Sequence, residues 1–447
     1  MHQFQNRISP RSLTRRDFLW LTSAGAAGLA AGAATGCAVN PVTGQSQLMF
    51  FSEENEVQLD QEHSPHQFSS DYGPVQDERL NAYLTHVGSG MAANTHRPHM
   101  PYSFRCVNAN HANAYVFPGG SVATTRGILL EMQNEAELAG LIGHELGHVN
   151  ARHTSARMST GILASVIMAG ATIYLATQNE KYAAIAAGLG GIASGALLAH
   201  YSRNDERQAD ALGMEYMTRS EYSPDGMVGL MDVLRNMSKS KPSAIEMMFS
   251  THPMSEERYQ TAVHNANTAY ADARGLPVHR ERYMDSTAEL RKIKDAIEKL
   301  QEGEKSMMRE EFPKAESAFE EALQKAPEDY AGLVLMAKCQ LAQERPKKAA
   351  FFAEQAQRVY PSEAQGHHLS GLAKVGLKQF DAAYAQFDRY ERMLPGNPNT
   401  VFLKGFSQEG MGHKKKAAEE YYRYLQSVDS GEQAQYAYNR LLEWGFF

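Results

Sequence analysis

The stretch Leu141-Ile142-Gly143-His144-Glu145-Leu146-Gly147-His148-Val149 decides the reading of this chain. It spells H-E-x-x-H inside an apolar, helix-compatible run. On a helix, His144 and His148 stand one above the other on the same face. Two imidazole nitrogens so placed can hold one Zn²⁺, and Glu145 is rotated about a quarter turn toward a metal-bound water. The chemistry needs neutral His as ligand and a carboxylate to take a proton from water that the metal has acidified. The same pattern also occurs on amphipathic helices as a solvated stripe, so the flanking sequence has to decide.

Downstream lies Tyr201-Ser202-Arg203-Asn204-Asp205-Glu206-Arg207-Gln208-Ala209-Asp210. Glu206 and Asp210 are four residues apart and share a helical face. Two His and one carboxylate, with water in the fourth position, is the ligand set of a catalytic zinc. Glu206 is read as the third ligand, and Asp210 as the acceptor that orients a ligand imidazole. An acidic pair is often just a solvated helix face; here it follows an H-E-x-x-H helix. His153, five residues past His148 and off the ligand face, is read as structural. His63, His66, His96 and His99 fall in loop-like sequence and read as surface residues.

The two segments Gly143-His144-Glu145-Leu146-Gly147-His148-Val149-Asn150-Ala151-Arg152-His153 and Ser202-Arg203-x-x-Glu206-x-x-Ala209-Asp210 together resemble the gluzincin family of the CaaX-prenyl protease and HtpX. Within it, the chain is most similar to the exported BepA-like branch, which joins the peptidase to tetratricopeptide repeats. The resemblance covers about residues 40 to 447. It implies a zinc endopeptidase with one Zn²⁺ on His144, His148 and Glu206, Glu145 as general base, and a role in outer-membrane protein quality control. Further on, Ser250-Thr251-His252-Pro253 matches a loop whose His approaches the metal in that branch. His252 is then either a fourth ligand that closes the site or a donor to the oxyanion; a bland alternative is a loop-capping His.

The amino terminus reads as a signal rather than as fold. Thr14-Arg15-Arg16-Asp17-Phe18-Leu19 is a twin-arginine pattern followed by a short apolar run, Trp20 to Gly36. Ala34-Thr35-Gly36-Cys37 resembles a lipoprotein cleavage box, with Ala34 where a Leu is usual; the resemblance implies lipidation of Cys37, and simple signal cleavage or an uncleaved anchor are the alternatives. Ala38 is not the Asp that retains lipoproteins at the inner membrane. The expectation is a periplasmic protein anchored to the outer membrane. Asn40-Pro41-Val42-Thr43-Gly44 reads as a turn-rich tether.

Between tether and motif, Ser52 opens a helix with an acidic first turn, and Asp77 to Met91 is a second helix with Leu80, Tyr83, Leu84 and Val87 at helical spacing. Tyr102 to Val107, Asn113 to Gly120 and Ser121 to Thr125 read as strands, the second ended by Pro118-Gly119-Gly120. A Pro at a strand end suits a sheet edge. Such an edge can accept a substrate peptide as an added strand or be a plain hairpin. Thr160 to Ala176 and Ala183 to Ala199 read as an apolar helical hairpin, packed or leaning on a membrane, and too short for comfortable spans.

The carboxyl third repeats every 34 residues: Ala315, Ala349, Ala383 and Ala417; Pro327, Pro361 and Pro395; Phe312, Pro346 and Phe380; Phe319, Phe387 and Tyr421. Gly303, Gly371 and Gly405, with Ala337 between, hold a small-residue position. This is the tetratricopeptide pattern, with small residues where helices touch and an aromatic filling the gap. Four repeats are read, 296–329, 330–363, 364–397 and 398–431, with a capping helix from Glu432.

At 447 residues with 43% hydrophobic and 21% charged content, the chain has material for two or three domains. A net charge of −7 argues against a nucleic-acid partner. Cys37, Cys106 and Cys339 form no framework, so a metal site must come from His and carboxylate. The expected fold is mainly α with a small β-sheet: a zincin-like metallopeptidase domain followed by an α-solenoid of tetratricopeptide repeats. The expected segments are 1–36 (signal), 37–75 (tether and first helix), 76–275 (peptidase, with the 160–200 hairpin) and 285–447 (repeats). Expected partners are unfolded or stalled outer-membrane proteins and, through the repeats, the outer-membrane assembly machinery. The competing reading is a chaperone or assembly adaptor whose peptidase site is largely latent.

Overall fold

The computed structural model describes residues 37–160 and 200–446; the expected signal run and nearly all of the apolar hairpin fall outside them. Residues 56–154 belong to one compact unit with the whole carboxyl half, while residues 37–55 and 155–160 belong to a second unit. In that second unit β1 (Cys37–Val39) pairs antiparallel with β2 (Ser46–Leu48), with Cys37 opposite Leu48. The stretch read as a tether is therefore the turn of a short hairpin: Asn40 Oδ1 accepts from the backbone N–H of Val42 and Thr43, and Gly44 takes φ +67°.

Helix α1 (Glu53–Ser70) follows Ser52, whose hydroxyl accepts from Asn55 N at 3.2 Å. Asp77 caps α2 (Glu78–Ala92), accepting from the backbone N–H of Arg79 and Leu80. That leaves Leu80, Tyr83, Leu84 and Val87 facing the core, at the spacing the sequence predicts. The sheet has the order β3 (Ser103–Val107), β5 (Ser121–Thr125), β4 (Ala114–Val116). β5 runs parallel to β3 and antiparallel to β4, with Tyr115 opposite Ala123. The hairpin and the edge position of β4 are thus both present. Phe117 N donates to Ser121 O across the Pro118 turn, where Gly120 takes φ +106°.

After α3 (Arg126–Glu131), Asn134 caps α4 (Glu135–Asn150), the helix of the metal motif, by accepting from Glu137 N. Every residue of α4 is buried, so its apolar residues stabilise it from all sides. α5 (Arg203–Arg219) starts with a capping box in which Ser202 and Asp205 exchange side-chain and backbone bonds. α6 (Asp225–Ser240), α7 (Pro242–Thr251) and α8 (Glu256–Asn267) complete this half.

The carboxyl part is four antiparallel helix pairs and a cap among the described residues. They are α9 (Lys294–Met308) with α10 (Phe312–Lys325), α11 (Tyr330–Ala342) with α12 (Pro346–Val359), α13 (Gln365–Gly376) with α14 (Phe380–Met393), α15 (Pro398–Gly410) with α16 (Lys414–Leu425), then α17 (Glu432–Glu443). Ala315, Ala349, Ala383 and Ala417 are fully buried, as are Phe319, Phe387 and Tyr421. A Cβ on Gly371 would come within 2.5 Å of Phe387, and one on Gly405 within 2.7 Å of Tyr421. This close approach of aromatic to glycine is why both positions recur in phase.

The repeats are fastened to the peptidase half by buried polar bonds rather than by a flexible linker. Arg126, 2% exposed, forks onto Asp329 at the start of α11, and the Tyr72 hydroxyl and Asn110 Nδ2 both donate to Glu304 of α9 at 3.0 Å. Glu363 accepts from the hydroxyls of Ser69 and Tyr330.

Candidate metal centre

The centre depends first on how closely α4 and α5 approach. A Cβ on Gly147 would lie 2.9 Å from Ala209 Cα, and one on Gly143 would lie 2.9 Å from Gly213 O. Only hydrogen fits there, and the contact brings the first turn of α5 against the two histidines. The carboxyl end of α4 is pinned separately: Arg97 Nη1 donates to Val149 O at 2.8 Å and Arg97 N donates to Asn150 Oδ1 at 2.6 Å. Glu56 bridges Arg97 and Arg152, and Arg152 ends the helix at φ +58°.

Four side chains then converge, all buried: His144, His148, Glu206 and His252. His144 Nε2 is 3.1 Å from His148 Nε2 and 3.3 Å from His252 Nδ1. His252 Nδ1 is 3.0 Å from Glu206 Oε1, which lies 3.4 Å from His148 Nε2; Glu206 Oε2 is 3.6 Å from His144 Nε2. A tetrahedral ion with bonds of about 2.0–2.1 Å spaces its donor atoms about 3.4 Å apart. The donor set therefore fits a zinc-sized ion, and buried imidazole with one carboxylate is the chemistry zinc prefers. Glu145, 1% exposed, stands on the same helix with neither carboxylate oxygen hydrogen-bonded among the described residues, and its Oε1 is 3.8 Å from His252 Nε2. A buried carboxylate left without a donor is costly unless water or substrate completes it.

The electrostatics follow from burial and from one cation. Burial pushes the Glu145 carboxyl above the usual range. Burial also drives His148 well below the ordinary imidazole value, keeping it neutral as a ligand must be. Burial opposes the charged form of His144, but the Glu206 charge and the Asp210 bond outweigh it and raise the value. Glu206 and Asp210 are held low despite burial, Glu206 by His144 and neighbouring imidazole bonds, Asp210 by Arg258.

Arg258 of α8 was not assigned a role from the sequence. Its Nε is 2.7 Å from Asp210 Oδ2, its Nη2 donates to Asp210 Oδ1 at 2.7 Å, and its Nη1 is 2.6 Å from Glu206 Oε2. Asp210 in turn lies 2.9 Å from His144 Nδ1, where the sequence reading puts an orienting acceptor. Tyr201 is a second unassigned member: its ring stacks on His148 at 3.8 Å between centroids. No local signal marks either residue, because Arg258 is 48 positions from Asp210 and the stack joins separate elements. His153, read as structural, touches the candidate ligand His148 directly. His96, read as a surface residue, is half-buried with Nδ1 2.7 Å from the Tyr216 hydroxyl.

The chain is similar in sequence to known metalloproteases. The chain is 27% identical to the beta-barrel assembly-enhancing protease of Yersinia pestis over 203 residues, 43% of this chain and 40% of that one. It is 33% identical to metalloprotease YcaL of Escherichia coli K12 over 162 residues, 36% of this chain and 60% of that one. It is 30% identical to the mitochondrial metalloendopeptidase OMA1 of Saccharomyces cerevisiae over 151 residues, 33% of this chain and 41% of that one. The matched stretch thus spans 40%, 60% and 41% of these three relatives, less than two thirds of each. Residues 78–266 match peptidase family M48 and residues 306–373 match the tetratricopeptide repeat. The chain therefore carries a peptidase family M48 domain followed by tetratricopeptide repeats.

Proposed function

We propose that this chain is a zinc-dependent endopeptidase of the bacterial cell envelope. The observation that carries the reading is the convergence of His144, His148, Glu206 and His252 beside a buried Glu145 whose carboxylate has no hydrogen bond among the described residues. Zinc, when bound, supplies the Lewis acid that acidifies water and polarises the scissile carbonyl. Glu145 takes the proton of the attacking water and passes it to the leaving amine; its raised pKa suits a group that must both accept and return a proton. Asp210 accepts from His144 Nδ1 and so aims Nε2 at the ion, while Arg258 offsets the two carboxylates. The edge strand β4, whose residues are at most 3% exposed, is where an extended substrate would pair once that edge is uncovered.

The substrates are misfolded or stalled outer-membrane proteins, and the repeats bind substrate or the outer-membrane assembly machinery. Support comes from the name of the Yersinia relative and from the repeat array. The location is the periplasm, after twin-arginine export, with Cys37 lipidated and anchored to the outer membrane. The support is the sequence of residues 14–37.

His252 favours a second reading in part. With Nδ1 among the donor atoms it fills the position that water needs, which suits an assembly adaptor whose peptidase is latent at rest. Metal analysis with casein cleavage by the parent and Glu145→Gln tests the choice. Stoichiometric zinc with cleavage lost in Glu145→Gln supports the peptidase. Zinc without cleavage, with client proteins still captured, supports the adaptor. No zinc overturns the peptidase.

A further inference from the structure

We propose that His153 is a positioning residue that fixes the tautomer of His148 through a relay ending on Gln208; the proposal rests on the metallopeptidase reading. His153 Nδ1 lies 2.9 Å from His148 Nδ1, so one nitrogen donates and the other accepts. The far side of the His153 ring decides which. Its Nε2 is 3.0 Å from Gln208 Oε1 and 3.7 Å from Asp205 Oδ1. A carboxylate and an amide oxygen only accept, so Nε2 carries the proton. Neutral His153 then presents a lone pair at Nδ1, and His148 must donate from its own Nδ1.

That leaves the lone pair of His148 on Nε2, the atom that faces His144 Nε2 and Glu206. The opposite tautomer of His153 would turn a second lone pair onto Gln208 and Asp205 and leave His148 Nδ1 as the acceptor. Its Nε2 would then carry a proton into the donor cluster. The relay does for His148 what Asp210 does for His144, with a neutral acceptor instead of a charged one. Both ends lie on elements already set by the fold: His153 just past the end of α4, and Gln208 one turn into α5, where the Ser202 capping box fixes the register. Stacking of Tyr201 on His148, 3.8 Å between centroids, opposes a flip of the ring about Cβ–Cγ, which leaves the hydrogen bond to select the tautomer.

The test is zinc affinity of the full chain by chelator competition, with thermal unfolding of the metal-free protein as a control for folding. His153→Leu removes the acceptor, and His153→Asn restores one near the position of Nδ1. The expected result is affinity ~10–100-fold weaker in His153→Leu, the scale of lost outer-sphere partners. His153→Asn should recover most of that loss, while metal-free unfolding changes little in either. Parent-like affinity in His153→Leu, with zinc lost in Glu206→Ala, overturns the relay and leaves the metal site standing. Equal weakening in His153→Asn and His153→Leu overturns it too, because the acceptor is then not what matters. If His153→Leu does not fold, Gln208→Leu takes its place, and unchanged zinc affinity there has the same meaning. A parent that holds no zinc overturns both this proposal and the peptidase reading.

Discussion

His252 Nδ1 lies 3.3 Å from His144 Nε2, within the spacing of two donors on one small ion. His252 is the last hydrogen-bonded position of α7, its N–H bonded to Met248 O, and Pro253 stops the helix there. His252→Ala is expected to raise casein cleavage on the order of tenfold, equivalent to closure favoured by about 1.4 kcal/mol. A fall in turnover instead identifies His252 as an oxyanion donor.

Arg258→Leu leaves Asp210 and Glu206 buried without their cation. Breaking a buried pair on one side costs about 3–5 kcal/mol. Urea unfolding of the metal-free protein should show that loss. Saturating zinc should recover part of it, because the ion replaces the missing positive charge beside Glu206.

Gly147→Ala places a methyl 2.9 Å from the backbone of Ala209. Relief requires α4 and α5 to separate, and overpacking of this kind costs about 1–3 kcal/mol. The same separation pulls Glu206 from the two histidines. Zinc affinity should fall in step with thermal stability, whereas Gly90→Ala, in open space within α2, should leave zinc affinity unchanged and raise stability by about 0.4–1 kcal/mol.

Asp329 both caps α11, accepting from Gly332 N, and pairs with the buried Arg126. Asp329→Asn keeps a capping side chain but removes the charge. It should cost about 3 kcal/mol or more, since Arg126 remains buried and unpaired. Asp329→Ala should cost about 1 kcal/mol beyond that. Denaturant midpoints of the two variants separate the roles.

His368 packs its ring against Phe387 and Tyr390, and burial, assisted by Lys338, lowers its pKa to about 4 from the ordinary 6.5. Between those values the unfolded chain binds a proton that the folded chain does not. The stability from this group is therefore complete above pH 6.5 and is lost as pH falls toward 4, on the order of 3 kcal/mol in total. His368→Phe keeps the packing and removes the titration. Its unfolding midpoint should depend less on pH across that window than the parent's.

The candidate ligands His144, His148 and Glu206 were legible because each is fixed by local periodicity: an i, i+4 pair on one helix and an acidic face on another. The 34-residue phase was equally plain, since Ala315, Ala349, Ala383 and Ala417 recur wherever two helices must touch. His252 was readable only through family resemblance. Arg258 and Tyr201 could not be read, because a hydrogen bond between residues far apart in the chain leaves no periodic trace. His153 was judged by its position off the ligand face of α4, yet the chain ends that helix at Arg152 and turns the ring back onto His148.

By itself, then, the sequence determined residue chemistry and the period of each element: which helix carries the histidines, which carries the carboxylates, and where the repeats begin. Local hydrogen bonding and side-chain spacing suffice for that. Only the tertiary structure decided the distances between elements. The glycine contact between α4 and α5, the Arg258 fork, the His153 relay and the Arg126 anchor to the repeats all depend on packing between distant segments, where burial turns a single misplaced charge or methyl group into a cost of several kcal/mol.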